Sequence, residues 1–173
     1  MARIIVCGCN GAGKSTLGKA LASELNYKFE DIENYYFPKD NPEYEYAVSR
    51  TREEVTELLK ADLKQYADFV LASVKADYGK EVEELFDIAV YIDVPKEVRA
   101  KRVYERSYKQ FGDRILPGGD LYESEKRFFD MVAQRPDDYA IKWLNEMDIP
   151  IIKVDGTQPI KKSVEEIKRR LSV

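Results

Sequence analysis

The sequence predicts an α/β protein, a five-stranded parallel sheet with helices on both faces, and three observations predict it. A short apolar run, Arg3-Ile4-Ile5-Val6-Cys7, leads into a glycine-rich loop and then into a segment with apolar residues at helical spacing. Further apolar runs near residues 27–30, 68–74, 87–92 and 151–154 alternate with helical segments, and short right-handed crossovers then make the sheet parallel. The 173 residues, 44% hydrophobic, suit one domain over 1–173 with a core of its own.

The loop is Gly8-Cys9-Asn10-Gly11-Ala12-Gly13-Lys14-Ser15. It meets the phosphate-loop spacing, glycine, four residues, then Gly-Lys and Ser or Thr, without a mismatch. Gly8, Gly11 and Gly13 let the backbone turn tightly and approach an anion. The N–H groups of residues 10 to 16 then converge at a helix N-terminus, where the dipole also favours negative charge. Lys14 is placed to reach the β- and γ-phosphates and the Ser15 hydroxyl to hold magnesium. The expected ligands are ATP and Mg²⁺, bound by Gly8, Asn10, Gly11, Ala12, Gly13, Lys14, Ser15 and Thr16.

Composition narrows the field. There is no histidine, so histidine catalysis and histidine metal sites are excluded. The net charge of −4 argues against a general nucleic-acid surface, so a polyanionic ligand needs local positive charge. No apolar run approaches the roughly 18 residues of a membrane span, and no signal-peptide pattern opens the chain. A cytoplasmic monomer or weak dimer is expected. A disulfide between Cys7 and Cys9 would distort the loop between them, so both are read as reduced thiols packed under or beside it.

Taken in order, the first helix runs to Leu25 and the second strand ends just before Asp31. Ligands of open α/β sheets sit beyond the carboxyl ends of strands, so Asp31 and Glu33 should face the phosphates. Asp31 could hold magnesium through a water or take a proton from an attacking hydroxyl. Residues 34–50 contain two prolines and are rich in tyrosine, Tyr35, Tyr36, Tyr44 and Tyr46. Such rings stack a flat ligand or cover the loop's own small core. Arg52–Leu63 is an amphipathic helix; Arg50 and Arg52 at its start meet an acceptor anion or remain solvated. The third strand is followed by Ser73 and Lys75 where motor ATPases carry an acid, and the switch and guanine-reading motifs of GTPases are absent. A short helix spans Lys80–Leu85, and Asp93 near the end of the fourth strand is read as something other than a Walker B acid. Arg99, Arg102 and Arg106 fall on one helix face, a costly row unless anions face it. Residues 107–120 hold three glycines and a proline, a flexible loop of lid size that carries Arg114. Helices follow over Glu123–Gln134, with Arg127 inside and Arg135 just after, beyond Pro136, and over Ile160–Leu171.

The whole pattern resembles the nucleoside monophosphate kinase-like branch of P-loop kinases, which includes adenylate, shikimate and gluconate kinases. Besides the phosphate loop, three stretches carry the resemblance: Ile92-Asp93-Val94-Pro95-Lys96-Glu97-Val98, Arg102-Val103-Tyr104-Glu105-Arg106, and Val154-Asp155-Gly156-Thr157-Gln158-Pro159-Ile160. It implies a three-layer α/β/α fold with strand order 2-3-1-4-5, an acceptor-binding insertion over about 32–66 and a lid over about 106–127. It implies Arg102 on the adenine side, Arg106 on the phosphates, and Asp155, Gly156, Thr157 and Pro159 bordering the adenine. The chain departs from the family after the third strand. The Asp-Gly-aromatic-Pro-Arg stretch of adenylate kinases and the triple glycine of shikimate kinases are both missing, and the lid has no four-cysteine zinc site.

These readings point to a phosphotransferase acting on a small acceptor, a nucleotide or nucleoside before a shikimate-like or sugar acid. Lys14, Asp31, Arg106 and Arg114 are the expected catalytic residues, and Asp31, Glu33, Tyr35, Arg50 and Lys75 the expected acceptor site. The alternative is a regulatory module that binds ATP or hydrolyses it slowly.

Overall fold

In a computed structural model, which describes residues 2–171, strands β1 (Arg3–Cys7), β2 (Lys28–Asp31), β3 (Phe69–Ala72), β4 (Ile88–Asp93) and β5 (Ile151–Asp155) form one sheet. The order is 2-3-1-4-5 and every pairing is parallel, so the phosphate loop leaves the central strand. The register pairs Val6 with Ala72 and Cys7 with Tyr91, which brings the carboxyl ends of β1, β3 and β4 to one edge of the molecule.

Alternate residues of β1 serve the two faces, as the two-residue period of a strand requires. Ile5 and Cys7 pack with Val55, Leu59 and Leu63 of α3 (Arg52–Leu63) and with Trp143 and Leu144 of α7 (Tyr139–Leu144). Ile4 and Val6 pack with Leu17 and Leu21 of α1 (Lys14–Leu25) and with Val164 and Ile167 of α8 (Ile160–Leu171). The buried strands are near-continuous apolar runs because both faces are covered.

Between these lie α2 (Ile32–Tyr36), α4 (Lys80–Glu83), α5 (Lys96–Phe111), a 3₁₀ turn (Gly112–Ile115) and α6 (Tyr122–Gln134). Two segments differ from the sequence reading. The expected flexible stretch over 107–120 is largely helical: α5 continues through Phe111 because no breaker precedes Gly112, whose φ of 58° ends it. The proline-rich stretch begins with a helical turn, α2, because Asp31 caps it by accepting the Glu33 N–H at 3.0 Å. Among the described residues, no helix is long and apolar enough to cross a membrane.

Candidate active site

The phosphate loop is built as an anion cradle. Gly11 (φ 82°) and Gly13 (φ 95°) are left-handed, and Gly11 lies against the Arg99 carbonyl so closely that no side chain fits. The first bond of α1 runs from the Leu17 N–H to the Gly13 carbonyl at 2.9 Å. The N–H groups of Lys14, Ser15 and Thr16 therefore have no acceptor among the described residues and open onto a cleft of about 480 Å³. Gly8 and Ala12 are buried and do not line it.

Lys14 donates to the Cys9 carbonyl at 3.2 Å. Part of the side chain stays accessible, but the protein packed around its ammonium lowers its pKa to about 8. Burial is the dominant cause, opposed by Cys7, Glu33 and Asp31. Burial also raises the Cys7 pKa, so at neutral pH Cys7 is a neutral thiol and the opposing charges are the two carboxylates. Both cysteines are free, as expected, and the Cys9 thiol faces the Pro136 and Asp137 carbonyls beside the loop.

Asp31 and Glu33 are the carboxylates lining this cleft. The position after β3 has none: Ser73 is buried and donates to the Lys75 carbonyl at 2.6 Å. Asp93 lines a separate depression with Pro95 and Asp155, away from the phosphate loop. Ser15 and Asp31 thus fit a magnesium site of the kind that relies on a hydroxyl, a carboxylate, waters and substrate phosphates, not on an all-protein cage. Accordingly, no cluster of three metal-ligating side chains occurs among the described residues.

Of the arginine row, Arg102 and Arg106 line the cleft and Arg99 does not. Arg99 is buried, donating to the Val94 carbonyl at 3.0 Å and pairing with Asp137 at 2.5 Å. Arg102 spans the loop, 3.5 Å from the Gly11 carbonyl and 3.0 Å from the Gly156 carbonyl. Gly156 is pressed against Ile92, Val94 and the Ala12 carbonyl, which leaves no room for a Cβ. Asp155, Thr157 and Pro159 lie outside the cleft. Asp155 accepts the Thr157 N–H at 2.8 Å and its hydroxyl at 2.6 Å, and together they shape the turn that presents Gly156.

A second cavity, of about 220 Å³, adjoins the cleft and shares Glu33, Phe37, Arg106 and Phe128 with it. Tyr44, Tyr46, Ser107, Gln110 and Glu125 complete its wall. The aromatic loop is docked on the end of α5: Tyr44 and Tyr46 lie edge-on to Phe111, with centroids at 5.4 and 6.4 Å.

Four further expected site residues are also elsewhere, because other partners take them. Tyr35 is buried and donates to Asp62 at 2.5 Å. Arg50 donates to the Tyr35 carbonyl at 2.8 Å and finishes α2. Lys75 pairs with Asp77 at 2.8 Å and lies over the Tyr139 ring. Arg114 pairs with Asp120 at 2.7 Å and donates to the Glu43 carbonyl at 3.0 Å, tying the aromatic loop to the 3₁₀ turn. Arg135 lines the cleft and Arg127 does not. Sequence reasoning missed Ser107, Gln110, Glu125 and Phe128. One signal was available: Leu121, Phe128 and Val132 form an apolar stripe along α6, and Glu125 interrupts it at helical spacing.

The AAA domain family matches residues 4–129, well over half of the chain. The chain belongs to the AAA domain family. Within reach of this family it is similar to an uncharacterized protein, YqaC, of Bacillus subtilis (strain 168), 26% identical over 98% of this chain and 97% of that one. It is 29% identical to a shikimate kinase of Enterococcus faecalis (strain ATCC 700802 / V583), over 78% of this chain and 86% of that one. Among solved structures, the shikimate kinase of Aquifex aeolicus VF5 superimposes with a TM-score of 0.61 at 23% identity, covering 98% of this chain and 96% of that one. A gluconokinase from Sinorhizobium meliloti 1021 superimposes with 0.53 at 18% identity, covering 95% and 88%. The fold is therefore the nucleoside monophosphate kinase-like P-loop fold.

Proposed function

We propose that this protein is a phosphotransferase that moves the γ-phosphoryl group of ATP to a small acceptor seated in the aromatic cavity. One observation carries the reading. The phosphate cleft and the smaller cavity share Glu33, Phe37, Arg106 and Phe128 in their walls, so donor and acceptor would lie side by side. In this reading the loop N–H groups and Lys14 hold the phosphates. Arg106 and Arg135 meet the charge that develops on the transferring group. Asp31 commits one carboxylate oxygen to the Glu33 N–H and keeps the other for the acceptor's proton. Magnesium on Ser15, with Asp31 behind a water, would neutralise phosphate charge when bound. The aromatic loop, within the insertion at 32–66, and the segment at 106–127 act as the cover that excludes water.

The cavity's rings and its two carboxylates suit a nucleoside, or a nucleotide whose phosphate reaches the cationic cleft, better than an acid such as shikimate seated inside it, because Arg106 is the single cationic residue among its described lining. The test is a transfer screen over nucleosides, nucleoside monophosphates, shikimate and sugar acids. A nucleoside or its monophosphate should raise ADP release well above the rate with ATP alone. If no acceptor raises it, the protein is a slow ATPase or a nucleotide-binding regulator.

A further inference from the structure

We propose that Glu125 reads the acceptor: its free carboxylate oxygen accepts an N–H from a nucleobase that carries an exocyclic amino group. The inference rests on the reading above, which seats the acceptor in this cavity.

Glu125 is 2% exposed and lies in the wall of the 220 Å³ cavity. One of its oxygens accepts the Tyr44 O–H at 2.8 Å. The other, Oε2, is buried and has no partner among the described residues. A buried acceptor left unmade is costly, and native proteins keep few of them. Packing does not ask for it, since Leu121, Phe128 and Val132 on the same stripe are apolar and a leucine would fill the position. Tyr44 cannot relieve it. Burial and then the bond to Glu125 raise the phenol's pKa, so Tyr44 stays a donor already spent on the first oxygen. What is missing is a donor, and the cavity that Glu125 lines is where a ligand would bring one.

The remaining wall says which donor. Phe37, Tyr46 and Phe128 offer faces to a flat ring, and Glu33 adds a second acceptor at the mouth. Gln110 spends its amide on Glu45 at 2.5 Å. A sugar acid brings hydroxyl donors but no ring face, and its own carboxylate would meet Glu33 and Glu125 with like charge. Uracil and thymine carry their ring N–H between two carbonyls, which would be turned toward the carboxylate. An exocyclic amino group, as on adenine, cytosine or guanine, projects beyond the ring and presents a donor that is not held between two carbonyls. The volume lies below the ~300–1,000 Å³ of pockets that enclose drug-sized ligands, so it suits a base whose sugar lies on the side of Glu33 and Arg106, the residues shared with the phosphate cleft.

The test is calorimetric binding in the presence of Mg²⁺ and a non-hydrolysable ATP analogue, with three pairs: adenosine and inosine, cytidine and uridine, guanosine and inosine. In at least one pair the amino member should bind about ten- to hundredfold tighter, the range for a hydrogen bond to a charged group. Glu125→Gln turns an amide donor into the cavity and should abolish or reverse that preference, with affinity for the ATP analogue unchanged. Its melting temperature should equal or exceed that of the native protein, since a buried charge is replaced by a neutral amide. Equal binding of both members of every pair by the native protein overturns the proposal, as does a Glu125→Gln protein that keeps the native ratio. If the variant does not fold, the native pairs alone decide. If a sugar acid drives ADP release and no nucleoside binds, this proposal falls and the phosphotransferase stands. If amino bases are selected but nothing drives ADP release, the phosphotransferase falls and what stands is base recognition by Glu125, with the base a ligand and not a phosphoryl acceptor.

Discussion

Arg135, just past the end of α6, donates to the Asn10 side-chain carbonyl at 2.6 Å, while its guanidinium lies 4.6 Å from the Tyr139 ring centroid. It therefore braces the phosphate loop from the far side of the cleft and presents its remaining donors to whatever lies there. The planar fork makes both contacts and keeps further N–H donors in a fixed geometry, which a lysine ammonium does not. Arg135→Ala is expected to lower turnover by about 10², in the range for loss of one positioned donor, and Arg135→Lys to recover only part of it. Steady-state kinetics with the acceptor found in the screen checks this; native turnover in Arg135→Lys would remove Arg135 from the site.

Lys14 gives a pH signature. Its pKa in the folded protein is about 8, below its ordinary 10.5, so the charged form is disfavoured. In the free protein the ammonium is charged below pH 8 and loses its proton above. Phosphate binding needs that charge. Affinity for an ATP analogue should be flat up to about pH 8 and then weaken roughly tenfold per unit. Lys14→Met should bind weakly at every pH and show no such break. Lys14→Ala should cost about 10²–10³ in turnover. Linkage has the opposite sign for stability. Between about 8 and 10.5 the unfolded chain holds the proton that the folded one has lost, so this group adds stability as pH rises through that window.

Asp31 caps α2 as well as lining the cleft. Asparagine keeps the capping oxygen, so Asp31→Asn should fold normally while losing the charge and the basicity. Turnover is expected to fall by about 10² or more, with affinity for the ATP analogue changed only a fewfold. Parallel measurement of turnover and analogue binding checks this. An equal loss in both would make Asp31 a binding residue, and no loss would place the proton acceptor elsewhere.

The phosphate half of the site was legible in the sequence because it is local. Gly11, Gly13, Lys14 and Ser15 are set by chain geometry within one loop, and the strand before and helix after confirm it. The parallel sheet and its order followed from apolar runs, helical spacing and resemblance, and β1 to β5 lie within two residues of where they were read at each end. Helical spacing also put Arg99, Arg102 and Arg106 on one face. It could not say that the first of them turns into the core against Asp137 while the other two reach the cleft. The same limit applies to Arg50, Lys75 and Arg114. Each has charge suited to an anion, but Arg50 and Arg114 are held by carbonyls brought near by folding, and Lys75 by Asp77 two residues on and by the distant Tyr139 ring.

The aromatic cavity was decided by tertiary structure alone. Its wall draws Glu33 and Phe37 from the region of α2, Tyr44 and Tyr46 from the docked loop, Arg106, Ser107 and Gln110 from α5, and Glu125 and Phe128 from α6. No spacing rule links these segments, because the parallel crossovers and the edge-on packing of Tyr44 and Tyr46 on Phe111 bring them together. A single sequence specifies what a continuous stretch of backbone must do. Which of its side chains are left without partners at a shared surface, as the Glu125 oxygen is, depends on what the rest of the chain packs against them.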